Sequence, residues 1–131
     1  MKLLIIGVPR AGKTTRAIAI QQQYVAGAEA IGQALLPIHH TDKMITQYEW
    51  SVFSDKVCDM LKQPGPWIIE GCSAVRGLRK YLKEGNKPDF EIEWLDKVYI
   101  PHEGRQKGFA ASLVSIWKEC QDAITALDLS K

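Results

Sequence analysis

Gly7, Gly12, Lys13 and Thr14 stand at the spacing G-x-x-x-x-G-K-[ST] within the run Gly7-Val8-Pro9-Arg10-Ala11-Gly12-Lys13-Thr14-Thr15. Each residue type suits the binding of a polyphosphate. The glycines permit backbone angles that a side chain forbids, so successive N–H groups can converge on phosphate oxygens. Lys13 brings a mobile positive charge for the β- and γ-phosphates, and the Thr14 hydroxyl can ligate Mg²⁺. The pattern also sits in the context it requires. The run Leu3-Leu4-Ile5-Ile6 reads as a strand buried on both faces, and a helical pattern follows, whose dipole favours an anion at its start. The expectation is a nucleoside triphosphate with Mg²⁺, held by Gly7, Pro9, Arg10, Ala11, Gly12, Lys13, Thr14 and Thr15.

Other residues with chemistry fall where later strands should end. Glu70 closes the apolar run Trp67-Ile68-Ile69 and can hold Mg²⁺ directly or through water. Asp42 follows a second short strand and could take a proton from a hydroxyl aligned on the γ-phosphate; it could equally cap the helix that starts there. Arg76 and Arg79, one helical turn apart, could hold an acceptor phosphate or offset charge, and each could instead be a solvated helix position. The polar loop with His102, Arg105 and Lys107 could fold over the triphosphate, with Arg105 offsetting charge in the transition state. His39 and His40 are adjacent on a strand and point to opposite faces, which argues against zinc. The tryptophans and Phe109 read as core rather than base-stacking platforms. Asp96 is set aside, because it precedes the expected fourth strand and so belongs to the opposite edge.

The elements that must position these residues follow from periodicity. Ala17, Ile20 and Tyr24 share a helical face, with Gly27 as the stop. Residues 34–39 read as a short edge strand because Pro37 cannot donate to a ladder. A helix with Ile45, Tyr48 and Val52 on one face follows, restarting near Ser54 with Val57 and Leu61 and ending at Pro64-Gly65-Pro66. Ser73 caps a helix carrying Val75, Leu78 and Leu82, stopped by Gly85. Residues 86–96 read mostly as loop, 97–100 as a fourth strand, and Phe109, Leu113, Ile116, Cys120, Ala123 and Leu127 as the buried stripe of a long last helix. Strands alternating with helices imply parallel crossovers in an α/β layer structure, with ligands bound beyond the carboxyl ends of the strands.

Composition sets the frame. The 131 residues suit one domain spanning residues 1–131, and 46% hydrophobic with 24% charged residues is ordinary globular usage. A net charge of +2 permits a polyanionic partner without arguing for one. Three widely spaced cysteines form neither a disulfide framework nor a metal quartet, and no stretch approaches membrane-spanning length. A soluble, cytoplasmic protein with no membrane partner is expected; nothing in the sequence sets an oligomeric state.

The loop, the acid after the second strand and the strand ending in Glu70-Gly71 together resemble small P-loop kinases: the shikimate and gluconate, nucleoside monophosphate and polynucleotide kinases. The order of elements matches over nearly the whole chain, but only Gly7–Thr15 is specific. The resemblance implies a three-layer P-loop NTPase fold with a short, mostly parallel sheet of about four strands and helices on both faces. It implies ATP and Mg²⁺, an acceptor hydroxyl touched by Asp42, an arginine at Arg76 or Arg79 after Glu70-Gly71, and Arg105 as a lid arginine. The chain departs from the monophosphate kinases in having no fifth strand to hold adenine, and too short an acceptor region to enclose a nucleotide. A minimal, open kinase suits a large acceptor, as in the kinases that phosphorylate hydroxymethyl-pyrimidines within phage DNA. Two other readings stand beside it: an ATPase or nucleotide-binding module acting by conformational change, and a small-metabolite kinase with its pocket built between Asp42 and Glu70.

Overall fold

The run Leu3–Ile6 forms the body of strand β1 (Lys2–Gly7), with all four side chains buried. The computed structural model describes residues 1–29, 36–98 and 101–129. Strands β2 (Ile38–His40), β3 (Trp67–Glu70) and β4 (Glu91–Leu95) join β1 in a sheet of order β2-β3-β1-β4, every neighbouring pair parallel. Parallel neighbours cannot be joined by hairpins, so helices make the connections. These are α1 (Lys13–Glu29), α2 (Trp50–Leu61) and α3 (Ala74–Lys83), with α4 (Arg105–Leu129) following β4.

Alternation along the strands divides the core in two. Leu3, Ile5 and Ile68 pack with Leu36 against Ala17, Ile20 and Tyr24 of α1. Leu4, Ile6, Trp67 and Ile69 point the other way, onto Phe53, Val57 and Leu61 of α2, Val75, Leu78 and Leu82 of α3, and Leu113, Ile116 and Cys120 of α4. The result is α1, sheet, and the three remaining helices, in three layers. Gly77 on α3 faces Val57 of α2, where a Cβ would run into the valine side chain. That glycine sets how closely the two helices approach.

Several sequence expectations need correction. Helix α1 passes through Gly27 to Glu29. Residues 30–35, which include the start of the expected second strand, lie outside the described residues; β2 begins only after Pro37, whose carbonyl accepts from Ile68 N–H (2.9 Å). It is an edge strand, as Pro37 required. Thr41–Met44 is a single 3₁₀ turn with no side-chain cap, and α2 starts at Trp50, so Ile45 and Tyr48 are not helical and Ser54 restarts nothing. Ser73 precedes α3 but makes no cap hydrogen bond.

The largest correction concerns β4. It occupies Glu91–Leu95, inside the stretch expected to be loop, while Lys97 and Val98 are not in a strand and Tyr99 and Ile100 lie outside the described residues. Ile92 and Trp94 face the helices, Trp94 stacking on Trp117 (5.4 Å between ring centroids). Glu93 faces the α1 side, where Arg16 holds it through two hydrogen bonds of 2.9 and 3.0 Å. Finally, α4 begins at Arg105, so Arg105 and Lys107 stand on a helix rather than in a loop.

Candidate active site

Parallel register brings the chemistry together. Ile5 and His40 both pair with Glu70, so the ends of β1, β2 and β3 lie side by side at one edge of the sheet. The connection after β1 returns to the sheet at once, Val8 N–H donating to the Leu95 carbonyl (3.1 Å). Gly7 sits where a Cβ would collide with that carbonyl, at φ +155°. Arg10 holds a left-handed backbone (φ +62°), which a side chain disfavours. Its guanidinium donates to the Pro101 carbonyl (2.9 Å), and His102 Nε2 donates to the Pro9 carbonyl (2.6 Å). The segment before α4 thus clasps the glycine-rich loop from outside.

Lys13 opens α1 yet is only 6% exposed, its ammonium donating to the Val8 carbonyl (2.7 Å). Next to it, the Thr14 hydroxyl donates to Glu70 Oε2 (3.3 Å). Glu70 is 3% exposed, and His40 Nδ1 donates to its other oxygen (2.9 Å). Thr41 Oγ1 donates to the Glu70 carbonyl (2.8 Å), tying the ends of β2 and β3. Gly71 follows with φ +149°; a Cβ there would run into Thr41 Oγ1, so only glycine lets the chain pass. Asp42, on the 3₁₀ turn, accepts the Cys72 N–H through Oδ1 (3.0 Å). That bond answers the question of its capping role: the carboxylate braces the connection after β3, not its own helix start. The second oxygen is left for another partner.

A cavity of about 270 Å³ is lined by Pro9, Arg10, Gly12 and residues 13–15 together with Asp42, Glu70 and Cys72. The Cys72 thiol, buried between Asp42 and Lys13, is pushed up to about 11: burial first, then the Asp42 charge, partly opposed by Lys13. It is held neutral and is no nucleophile at physiological pH.

Three expected residues stand elsewhere. Arg105 is exposed on the first turn of α4 and does not line the cavity. Arg79 pairs with Glu119 (3.5 Å). Arg76 lies over the Trp50 ring (4.7 Å to the centroid), its Nε buried without a hydrogen-bond partner. Burial, then the neighbouring Arg79 charge, pushes its guanidinium down. Trp50 itself is 46% exposed, unlike Trp67 at 2%, so the tryptophans are not uniformly core.

Asp96, discounted from the sequence, directly follows β4 and therefore lies at the carboxyl edge. It lines a second cavity, of about 740 Å³, with Trp94, Leu95, Arg16 and Ala19; Arg10, Gly12 and Thr15 border both cavities. The alternation Ile92-Glu93-Trp94 was the signal that could have found it. His40 stands at the edge where the loop after the second strand was expected to offer it, bonded to Glu70, and Cys72 lines the cavity without having been singled out.

Mg²⁺ takes oxygen ligands and commonly binds through one or two protein groups plus phosphate and water. Thr14 Oγ1 and Glu70 Oε2 fit that role at the cavity floor. Among the described residues no group of three His, Cys, Asp or Glu is gathered for a metal, and no helix is long and apolar enough to cross a membrane. No protein-family model matches the chain, and no curated protein matches it.

Proposed function

We propose that this chain is a small kinase of the P-loop class that moves the γ-phosphate of a nucleoside triphosphate, ATP by resemblance, to a hydroxyl on a nucleotide or nucleic acid. The observation that carries the reading is one cavity built by three distant segments: Lys13 and Thr14 from the loop, Asp42 after β2 and Glu70 at the end of β3. A site for holding phosphate alone has no use for an exposed carboxylate in the same cavity as the lysine. A transferase does.

In this account the loop N–H groups and the α1 dipole hold the β- and γ-phosphates, and Lys13 turns from the Val8 carbonyl to the γ-phosphate. Thr14 and Glu70 would hold Mg²⁺, which would supply charge neutralisation during phosphoryl transfer. Asp42 takes the proton of the acceptor hydroxyl as its oxygen bonds to the γ-phosphorus. The bond from that phosphorus to the β–γ bridging oxygen breaks, and its electron pair leaves on the nucleoside diphosphate. Arg76 or Arg79 serves the acceptor, Arg76 being the better placed by its unsatisfied N–H. Arg105 keeps its lid role only if α4 shifts toward the loop. The sharpest form of the acceptor, by resemblance to the kinases that modify phage DNA, is a hydroxymethyl-pyrimidine within DNA. A reducing, cytoplasmic setting belongs to the same proposal, in keeping with three free cysteines.

The test is to incubate the protein with γ-labelled ATP and GTP and separate panels of nucleosides, monophosphates, 5′-hydroxyl oligonucleotides and hydroxymethyl-pyrimidine DNA. Label in DNA and not in free nucleosides is expected. Phosphate release with label in no acceptor would replace the kinase by an ATPase module.

A further inference from the structure

We infer that the larger cavity beside the loop receives the base of the bound triphosphate, and that Asp96 makes guanine the preferred base. The inference rests on the triphosphate reading above and refines its donor.

Placement comes first. Arg10, Gly12 and Thr15 border both cavities, so a ligand whose phosphates fill the smaller one has its nucleoside end directed into the larger. At about 740 Å³ the larger cavity has room for a purine and its ribose. Ala11, Ala19 and Leu95 give it apolar walls for a planar ring. The position is also fixed relative to the phosphates. The Leu95 carbonyl accepts the Val8 N–H at 3.1 Å, so the residue that follows, Asp96, is tied to the loop by one short backbone link.

Polarity then selects the base. Among the described residues Asp96 is the one carboxylate lining this cavity, beside three cations, Arg10, Arg16 and Lys97. Arg16 also lines it, but its Nε and one terminal nitrogen are bonded to Glu93. Arg10 bonds the Pro101 carbonyl through a single terminal nitrogen, which leaves further N–H groups of its fork. A carboxylate offers only acceptors. Guanine presents two adjacent donors, N1–H and the 2-amino group, which fork a carboxylate, and its O6 accepts from an arginine. Adenine presents one donor beside the N1 lone pair, which a carboxylate repels. Xanthine places a carbonyl where guanine has its 2-amino group. Asp96 is exposed in the free chain, so a base seated on it covers the carboxylate, and a polar partner left unmatched beneath a ligand separates otherwise similar ligands.

The experiment reads binding alone. With Mg²⁺ present, GTP, ATP and XTP are titrated as displacers of a ribose-labelled fluorescent ADP from the wild-type chain and from Asp96→Asn. Wild type should release the label to GTP at a concentration about tenfold or more below that needed for ATP, with XTP the weakest. Asp96→Asn should bring GTP and ATP within about threefold and strengthen XTP, because the carboxamide can donate to the 2-carbonyl. The gain for XTP cannot come from damage to the fold. Equal displacement by ATP and GTP in wild type, or an unchanged order in Asp96→Asn, would overturn the guanine assignment while leaving the triphosphate reading intact. Failure of wild type to bind the label or any of the three triphosphates would overturn both.

Discussion

Asp42 is asked to do two things with one carboxylate. Oδ1 accepts the Cys72 N–H, and the proposed chemistry uses the other oxygen. Asparagine keeps an oxygen for Cys72 and loses the proton-accepting charge. Asp42→Asn should therefore bind triphosphate as wild type does while kcat falls by about a hundredfold or more, read by label transfer; full transfer in that variant would remove the base. Glu70 was legible because a strand-ending acid after an apolar run has few structural uses. Its partners were not: His40 and Thr14 lie 30 and 56 residues away, and only the parallel register joins them. Asp96 was misplaced for a reason of the same kind. A residue's edge of the sheet depends on which side of its strand it falls, and the strand had been set too late in the chain.

At the scale of elements, β1, β3, α3 and the buried stripe of α4 could be read because burial on one side or both leaves uninterrupted or strictly periodic apolar residues. Strand β4 could not be read as easily. It is an edge strand, its charged positions Glu91 and Glu93 look like loop, and Glu93 is compensated by Arg16 from another element. Residues 97–100 offered better local strand propensity, yet it is Glu91–Leu95 that pairs with β1. The junction of α2 and α3 offers a test of packing. Alanine in place of a helical glycine ordinarily stabilises by about 1 kcal/mol. At Gly77 the added Cβ meets Val57, and overpacking of this kind costs about 1–3 kcal/mol. Gly77→Ala should thus lower the urea midpoint, and adding Val57→Ala should cost less than the sum of the two single changes. A raised midpoint in Gly77→Ala would mean that the helices are not in contact there.

For the molecule as a whole, burial of the thiols gives a stability that depends on pH. Burial, the largest cause, raises Cys120 to about 12, and Cys58 is raised as well. Thiols of the unfolded chain ionise near about 8.5. Between that value and the folded one the unfolded chain binds fewer protons than the native chain, so stability falls as pH rises. Denaturant midpoints should be level from pH 7 to about 8.5 and then decline, and Cys120→Ala should make the decline shallower. An undiminished slope would place that thiol in solvent. The three-layer arrangement itself was open to sequence reasoning, since alternation of strands and helices admits few alternatives. The stacking of Arg76 on Trp50 was not, because the two meet only through folding. All of the account stands on the loop that begins it. The most direct measurement is calorimetric titration of a hydrolysis-resistant triphosphate with Mg²⁺ into the wild-type chain and into Lys13→Ala. One equivalent should bind the wild type and binding to the variant should be lost, whereas equal binding to both would contradict the claim that this loop holds the phosphates.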